Sequence, residues 1–151
     1  MKIIINENIN IDETEIIINC RQADEQITRI CAGLRVFDRK VTGLHNGQTF
    51  ILNASDILYV ETVDRKTFLY TAGGVYETPF KLYELEERLA GEDFIRATKS
   101  CLLNFTKVKS LRGDFGGRMI CTLENDEKVT VSRQYAITIK QKLGIVKGES
   151  L

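Results

Sequence analysis

The chain has 151 residues, 43% of them hydrophobic. That is single-domain length, with room for a small appendage and a core that needs no disulfide or metal staple. One histidine, His45, is too few for a histidine-rich metal site, and it reads as an ordinary strand-end residue. No apolar run approaches the ~18–20 residues that span a bilayer. The start, MKIIINENIN, is too short in its apolar stretch for a signal peptide, so a cytoplasmic protein is expected.

Net charge is zero but unevenly placed. Residues 1–93 carry 10 basic and 16 acidic residues, a net of −6, whereas residues 94–143 carry 10 basic and 4 acidic, a net of +6. Such asymmetry fits an electropositive face for a polyanion, or two halves that attract each other.

In chain order, Lys2 to Ile5 and Glu15 to Cys20 read as strands, being runs of Ile between polar ends. ADEQITRICAGLRVF reads as a helix, with Ile27, Ile30, Cys31 and Leu34 at i, i+3, i+4, i+7. Asp24 and Glu25 fall in its first turn and favour the dipole. A charged linker, Asp38-Arg39-Lys40, follows. This front β/α unit, residues 1–39, is too small to bury much alone and must pack on the rest or on a second copy.

Short strands then take over. Val41–Leu44 and Thr49–Leu52 flank Asn46-Gly47, the strongest two-residue hairpin signal. Ile57–Val63 is a strand, and Phe68–Thr71 with Val75–Thr78 form a hairpin around Gly73-Gly74, ended by Pro79. KLYELEERLA reads as a short helix with Leu82, Leu85 and Leu89 on one face. Leu102–Phe105 and Val108–Leu111 are β runs, and Met119–Leu123 pairs with Val129–Ser132 around Asn125-Asp126. Ser132 is placed to cap a last helix, Gln134–Leu143, which Gly144 stops. The expected fold is mainly β with short helices, built of small antiparallel sheets over residues 40–144, with a tail at 145–151.

Enzymatic chemistry finds no support. There is no phosphate-binding glycine loop and no triad, and Glu84, Glu86 and Glu87 read as a solvated helix face. No metal, cofactor or small-molecule substrate is expected. The cysteines Cys20, Cys31, Cys101 and Cys121 form no C-x-x-C pair and read as buried, reduced thiols.

Three stretches stand in a telling order: DILYVETVDRKTFLYT (56–71), FIRATKSCLLN (94–104) and TVSRQY (130–135). With the Leu-rich helix between the first two, they resemble the LytTR DNA-binding domain of bacterial transcription regulators over about residues 38–144. About forty residues ahead of it are too few for a receiver domain, which is similar to the stand-alone branch of that family. The resemblance implies small antiparallel sheets that meet double-stranded promoter DNA through loops at a sheet edge, a homodimer, and paired direct-repeat sites. It places candidate DNA contacts at three loops: Lys66 and Thr67; Lys99 and Ser100; Arg133 and Gln134. Lys107 and Arg118 would add attraction to phosphates. Lys99 or Arg133 can donate to guanine O6 and N7, Arg bidentately, while Ser100, Gln134 and the last helix's N-terminus suit phosphates.

Each has a plainer reading. Arg96 contacts DNA or pairs with an acid such as Glu61. Asn104 satisfies backbone groups at a strand end rather than reading a base. Ser132 is an N-cap, and Lys107 and Lys109 alternate on a solvent face. Two rival functions stay open. One is an adapter module whose acidic half receives a protein partner, such as a membrane-protein regulator. The other is an RNA binder, which lacks the usual stacking aromatics.

Overall fold

The computed structural model describes residues 1–12 and 14–145. Residues 146–151, most of the expected tail, lie outside the described residues. The first 24 residues form no strand among those described, so the strands expected at Lys2–Ile5 and Glu15–Cys20 are a misreading. Isoleucine runs meet the composition of a strand, but a strand exists only against a partner ladder. Here Ile3, Ile5, Ile9 and Ile17 are 76–100% exposed.

The helix does form, as α1 (Glu25–Asp38), running through Gly33. Asp24 sits ahead of it as the cap, its carboxylate accepting from the Ile27 N–H at 3.1 Å. The charged linker is not a free swivel. Arg39 pairs with Glu92 at 3.0 Å, and its carbonyl accepts from the Ala54 N–H at 2.9 Å.

Ten strands follow: β1 (Lys40–His45), β2 (Gln48–Asn53), β3 (Ile57–Val63), β4 (Lys66–Thr71), β5 (Gly74–Thr78), β6 (Phe94–Thr98), β7 (Cys101–Asn104), β8 (Val108–Gly113), β9 (Met119–Leu123) and β10 (Lys128–Val131). Two more helices are α2 (Leu82–Arg88) and α3 (Arg133–Lys142). A seven-stranded sheet has the order β2-β1-β5-β4-β3-β7-β6, and a three-stranded sheet the order β10-β9-β8. Every pairing is antiparallel.

The large sheet is covered on both faces, which explains its two apolar registers. On one face Val41, Ile57, Val60, Leu69 and Leu102 meet Leu82 and Leu85 of α2 and Leu89 at its C-cap. On the other, Leu58, Ala97 and Leu103 meet Met119, Cys121, Val131 and the α3 residues Ala136 and Ile139. Neighbours Leu102 and Leu103 therefore serve opposite layers, as the strand period of two requires. Asn104, 1% exposed, closes β7: its amide donates to the Ile57 carbonyl at 2.8 Å and its Oδ1 accepts from the Thr106 N–H and hydroxyl at 3.2 and 2.7 Å. The backbone-satisfying role expected of it holds.

The thiols divide. Cys101 and Cys121 are buried, Cys31 is half-buried and Cys20 is exposed, so the expectation of four buried thiols fails at Cys20, which lies in the unpaired front stretch. Burial pushes the Cys101 thiol up to about 12, with Glu61 adding and Arg96 opposing, and the Cys121 thiol up to about 11. Neither is poised as a nucleophile.

Candidate nucleic-acid interface

Three segments distant in sequence meet at one end of the large sheet. The first is the β3–β4 turn. Its central residues Asp64 and Arg65 both have left-handed backbones, φ 51° and 67°. A two-residue turn of this hand matches strand twist but favours Asn-Gly, so Arg65 stands where glycine is easiest. Lys66 follows it, exposed, at the start of β4. Thr67 does not reach the surface. It is 5% exposed, with its hydroxyl 3.4 Å from that of Thr62. The two-residue turn sends Lys66 outward and, by strand alternation, Thr67 inward, so Thr67 is withdrawn as a contact residue.

The second segment is the β6–β7 turn, where Lys99 and Ser100 are exposed. Arg96 shapes it: its guanidinium donates to the Lys99 carbonyl at 2.6 Å and pairs with Glu86 of α2. The acid that Arg96 meets is thus Glu86, not Glu61, and Arg96 is a positioning residue. The Ser100 N–H donates to Thr98 Oγ1 at 3.2 Å.

The third is the start of α3. Ser132 occupies the cap position, yet its side chain makes no capping bond; its carbonyl accepts from the Tyr135 and Ala136 N–H groups at 3.1 and 2.8 Å. Arg133 and Gln134 are exposed beside the first-turn N–H groups that a helix leaves unpaired. The far end of α3 is closed by Gly144, φ 70°, through bonds from Gly144 to Gln141 and from Ile145 to Lys140.

Backbone bonds join the segments. The Thr62 N–H donates to the Ser100 carbonyl at 2.9 Å, and the Ser132 N–H to the Ala97 carbonyl at 2.8 Å. Arg133 also lies flat across Gly117 of the β8–β9 loop. A Cβ on Gly117 would stand 3.0 Å from Arg133 Cγ and 3.2 Å from Cδ. Arg118 is in that loop, donating to the Phe115 carbonyl at 3.0 Å with Asp114 3.6 Å away.

Lys107 is elsewhere. Because Gly113 pairs with Met119 and Val108 with Leu123, Lys107 sits at the opposite end of the small sheet from Arg118. Its ammonium lies 3.9 Å from Glu124. Lys109 likewise pairs with Asp126, whose carboxyl is held below its usual range by that bond. Lys107 and Lys109 are thus paired with acids at one end of the small sheet, while at the other end Lys99 and Arg133 join Arg65 and Lys66. Among the described residues none of these four is in a salt bridge.

In the sequence Arg65 stands in the first loop without being marked as a contact, and Gly116-Gly117 beside Arg118 reads only as a hairpin turn. The signal for Arg65 was a charged pair, Asp64-Arg65, where a tight turn prefers glycine. Changing Arg65→Gly is expected to stabilise the fold by about 1 kcal/mol while weakening duplex binding, a combination that denaturant unfolding beside fluorescence anisotropy would check.

Residues 47–144 match the family described as the LytTr DNA-binding domain. The chain belongs to the LytTR DNA-binding domain family. A solved LytTr DNA-binding domain from Bacillus cereus superposes with a TM-score of 0.66 at 26% identity, covering 70% of this chain and 97% of that one. The sensory transduction protein LytT of Enterococcus faecalis is 30% identical over 96 residues, 64% of this chain and 40% of that protein. An uncharacterized HTH-type transcriptional regulator of Staphylococcus aureus is 27% identical over 145 residues, 93% of this chain and 98% of that protein. Similarity to the staphylococcal protein thus extends into the front unit, beyond the LytTR domain. Strands separate α1, α2 and α3, so this LytTR chain has no helix-turn-helix pair among the described residues. No helix among those residues is long and apolar enough to cross a membrane.

Proposed function

We propose that the protein is a sequence-specific, double-stranded DNA-binding transcription regulator that enters major grooves with loops rather than with a recognition helix. The observation that carries this reading is the convergence of Arg65-Lys66, Lys99-Ser100 and Arg133-Gln134 at one sheet end, held by backbone bonds and, among the described residues, in no salt bridge. Arg133 is the base reader, its fork matching guanine O6 and N7, and Lys99 a second donor. Lys66, Ser100, Gln134 and the α3 N-terminus hold phosphates. Arg118 acts through its loop more than through its charge. Selection of bound sequences from random duplexes, followed by anisotropy across a salt series, tests this. A recurring motif and a log–log salt slope of about −3 to −5 are expected. Equal affinity for all duplexes would refute specificity.

We further propose that the front unit joins two copies. Exposed Ile3, Ile4, Ile5, Ile16 and Ile17 supply apolar surface that a lone chain leaves wet. The full chain is expected to sediment as a dimer, and a variant with Ile4→Asp and Ile17→Asp as a monomer that has lost its preference for paired sites. The same surface is what the adapter reading would use for a protein partner. A wild-type chain that stays monomeric at micromolar concentration would favour that reading for the front unit.

A further inference from the structure

We propose that Phe115, at the tip of the β8–β9 loop, is a base-reading side chain that packs on the C5-methyl of a thymine beside the base met by Arg133; the proposal rests on the duplex-binding reading above. Phe115 is 88% exposed, the most exposed aromatic residue among those described. The loop that carries it is built, not slack. The Asp114 N–H donates to the Arg118 carbonyl at 2.8 Å, and Arg118 Nε returns a bond to the Phe115 carbonyl at 3.0 Å. Gly116 and Gly117 turn through left-handed conformations, φ 73° and 79°, and Gly117 lies under the Arg133 side chain. The loop that carries the ring and the side chain of Arg133 are thereby packed together.

The chemistry of the surroundings selects the occupant. The loop that carries the ring holds Asp114, two glycines and Arg118, with Arg133 packed over Gly117, so the ring stands in a polar, largely cationic setting. Its partner must be a polyanion that also offers an isolated apolar group. In the major groove that group is the thymine methyl, the one apolar feature on a base edge. A phenyl ring has no hydrogen-bonding atom, so it can serve neither phosphate nor guanine.

The test uses the full-length protein and a selected duplex in which each thymine is replaced in turn by deoxyuridine, which removes the methyl alone. Phe115→Ala is expected to bind about three- to tenfold more weakly than wild type, with unchanged circular dichroism. One deoxyuridine, adjacent to the base pair whose preference Arg133→Ala relaxes, should weaken wild type by a similar factor and leave Phe115→Ala unaffected. A Phe115→Ala protein that binds as wild type, or that responds to every deoxyuridine as wild type does, overturns the proposal and leaves duplex binding intact. A wild-type protein that binds no duplex overturns both.

Discussion

Replacing Arg133 by alanine is expected to cost about 1–3 kcal/mol of specific binding and to relax preference at one base pair. Its geometry makes the effect large. The side chain is exposed, lies in no salt bridge among the described residues, and is steered by Gly117 beneath it and by the α3 backbone behind it. Removing it strips a bidentate donor without disturbing the core, so melting temperature should hold. Lys107→Ala is the internal control. Lys107 is paired with Glu124 at the far end of the small sheet, and its loss should change neither sequence preference nor salt slope. Binding isotherms on the selected duplex and on single-base variants read both. An Arg133→Ala protein with unchanged preference would move the reading head elsewhere.

Asn104→Ala should produce the largest stability loss, about 2–4 kcal/mol, with a melting temperature lower by about 10 °C. The side chain is buried, with both its nitrogen and its oxygen hydrogen-bonded. Alanine would strand the Ile57 carbonyl inside the fold and take the acceptor from the Thr106 N–H and hydroxyl, which water can reach at that exposed residue. Because Ile57 opens β3 and Asn104 closes β7, the damage falls on the β3–β7 ladder of the large sheet. Thr106→Ala, which removes one of the three bonds, should cost about 1 kcal/mol. Denaturant unfolding decides it, and an Asn104→Ala protein as stable as wild type would mean that the network carries no net energy.

The legible parts of this fold are those written locally. Asn46-Gly47 announced its hairpin, Ile57–Val63 was read to the residue, and Leu82, Leu85 and Leu89 marked the buried face of α2. The errors came where structure depends on distant partners. Phe94–Thr98 is a strand, yet FIRAT breaks the period of two because the pairing shifts between Arg96 and Thr98. The front isoleucines have strand composition and no ladder to join. Within the site, the three loops could be named from their motifs, but depth could not. Thr67 turned inward because the turn before it holds two residues. Arg96 found Glu86 across a helix–strand contact that no spacing rule foretells, and Lys107 fell at the far end because β8 runs from Lys107 toward the loop that lies beneath Arg133.

The two backbone bonds that weld Thr62 to Ser100 and Ala97 to Ser132 make the three tips a ruler. Successive base pairs along a duplex are 3.4 Å apart, whereas bonds of this kind give by only tenths of an ångström. One base pair inserted between two positions read by the same domain therefore cannot be met by stretching the protein. It would have to be absorbed by bending or retwisting the duplex, at a cost of order 1–6 kcal/mol. On the proposed reading, change in such a reader would be confined to its alphabet: the side chains at Lys99 and Arg133 could be exchanged for new letters, while the spacing between letters is a property of the sheet.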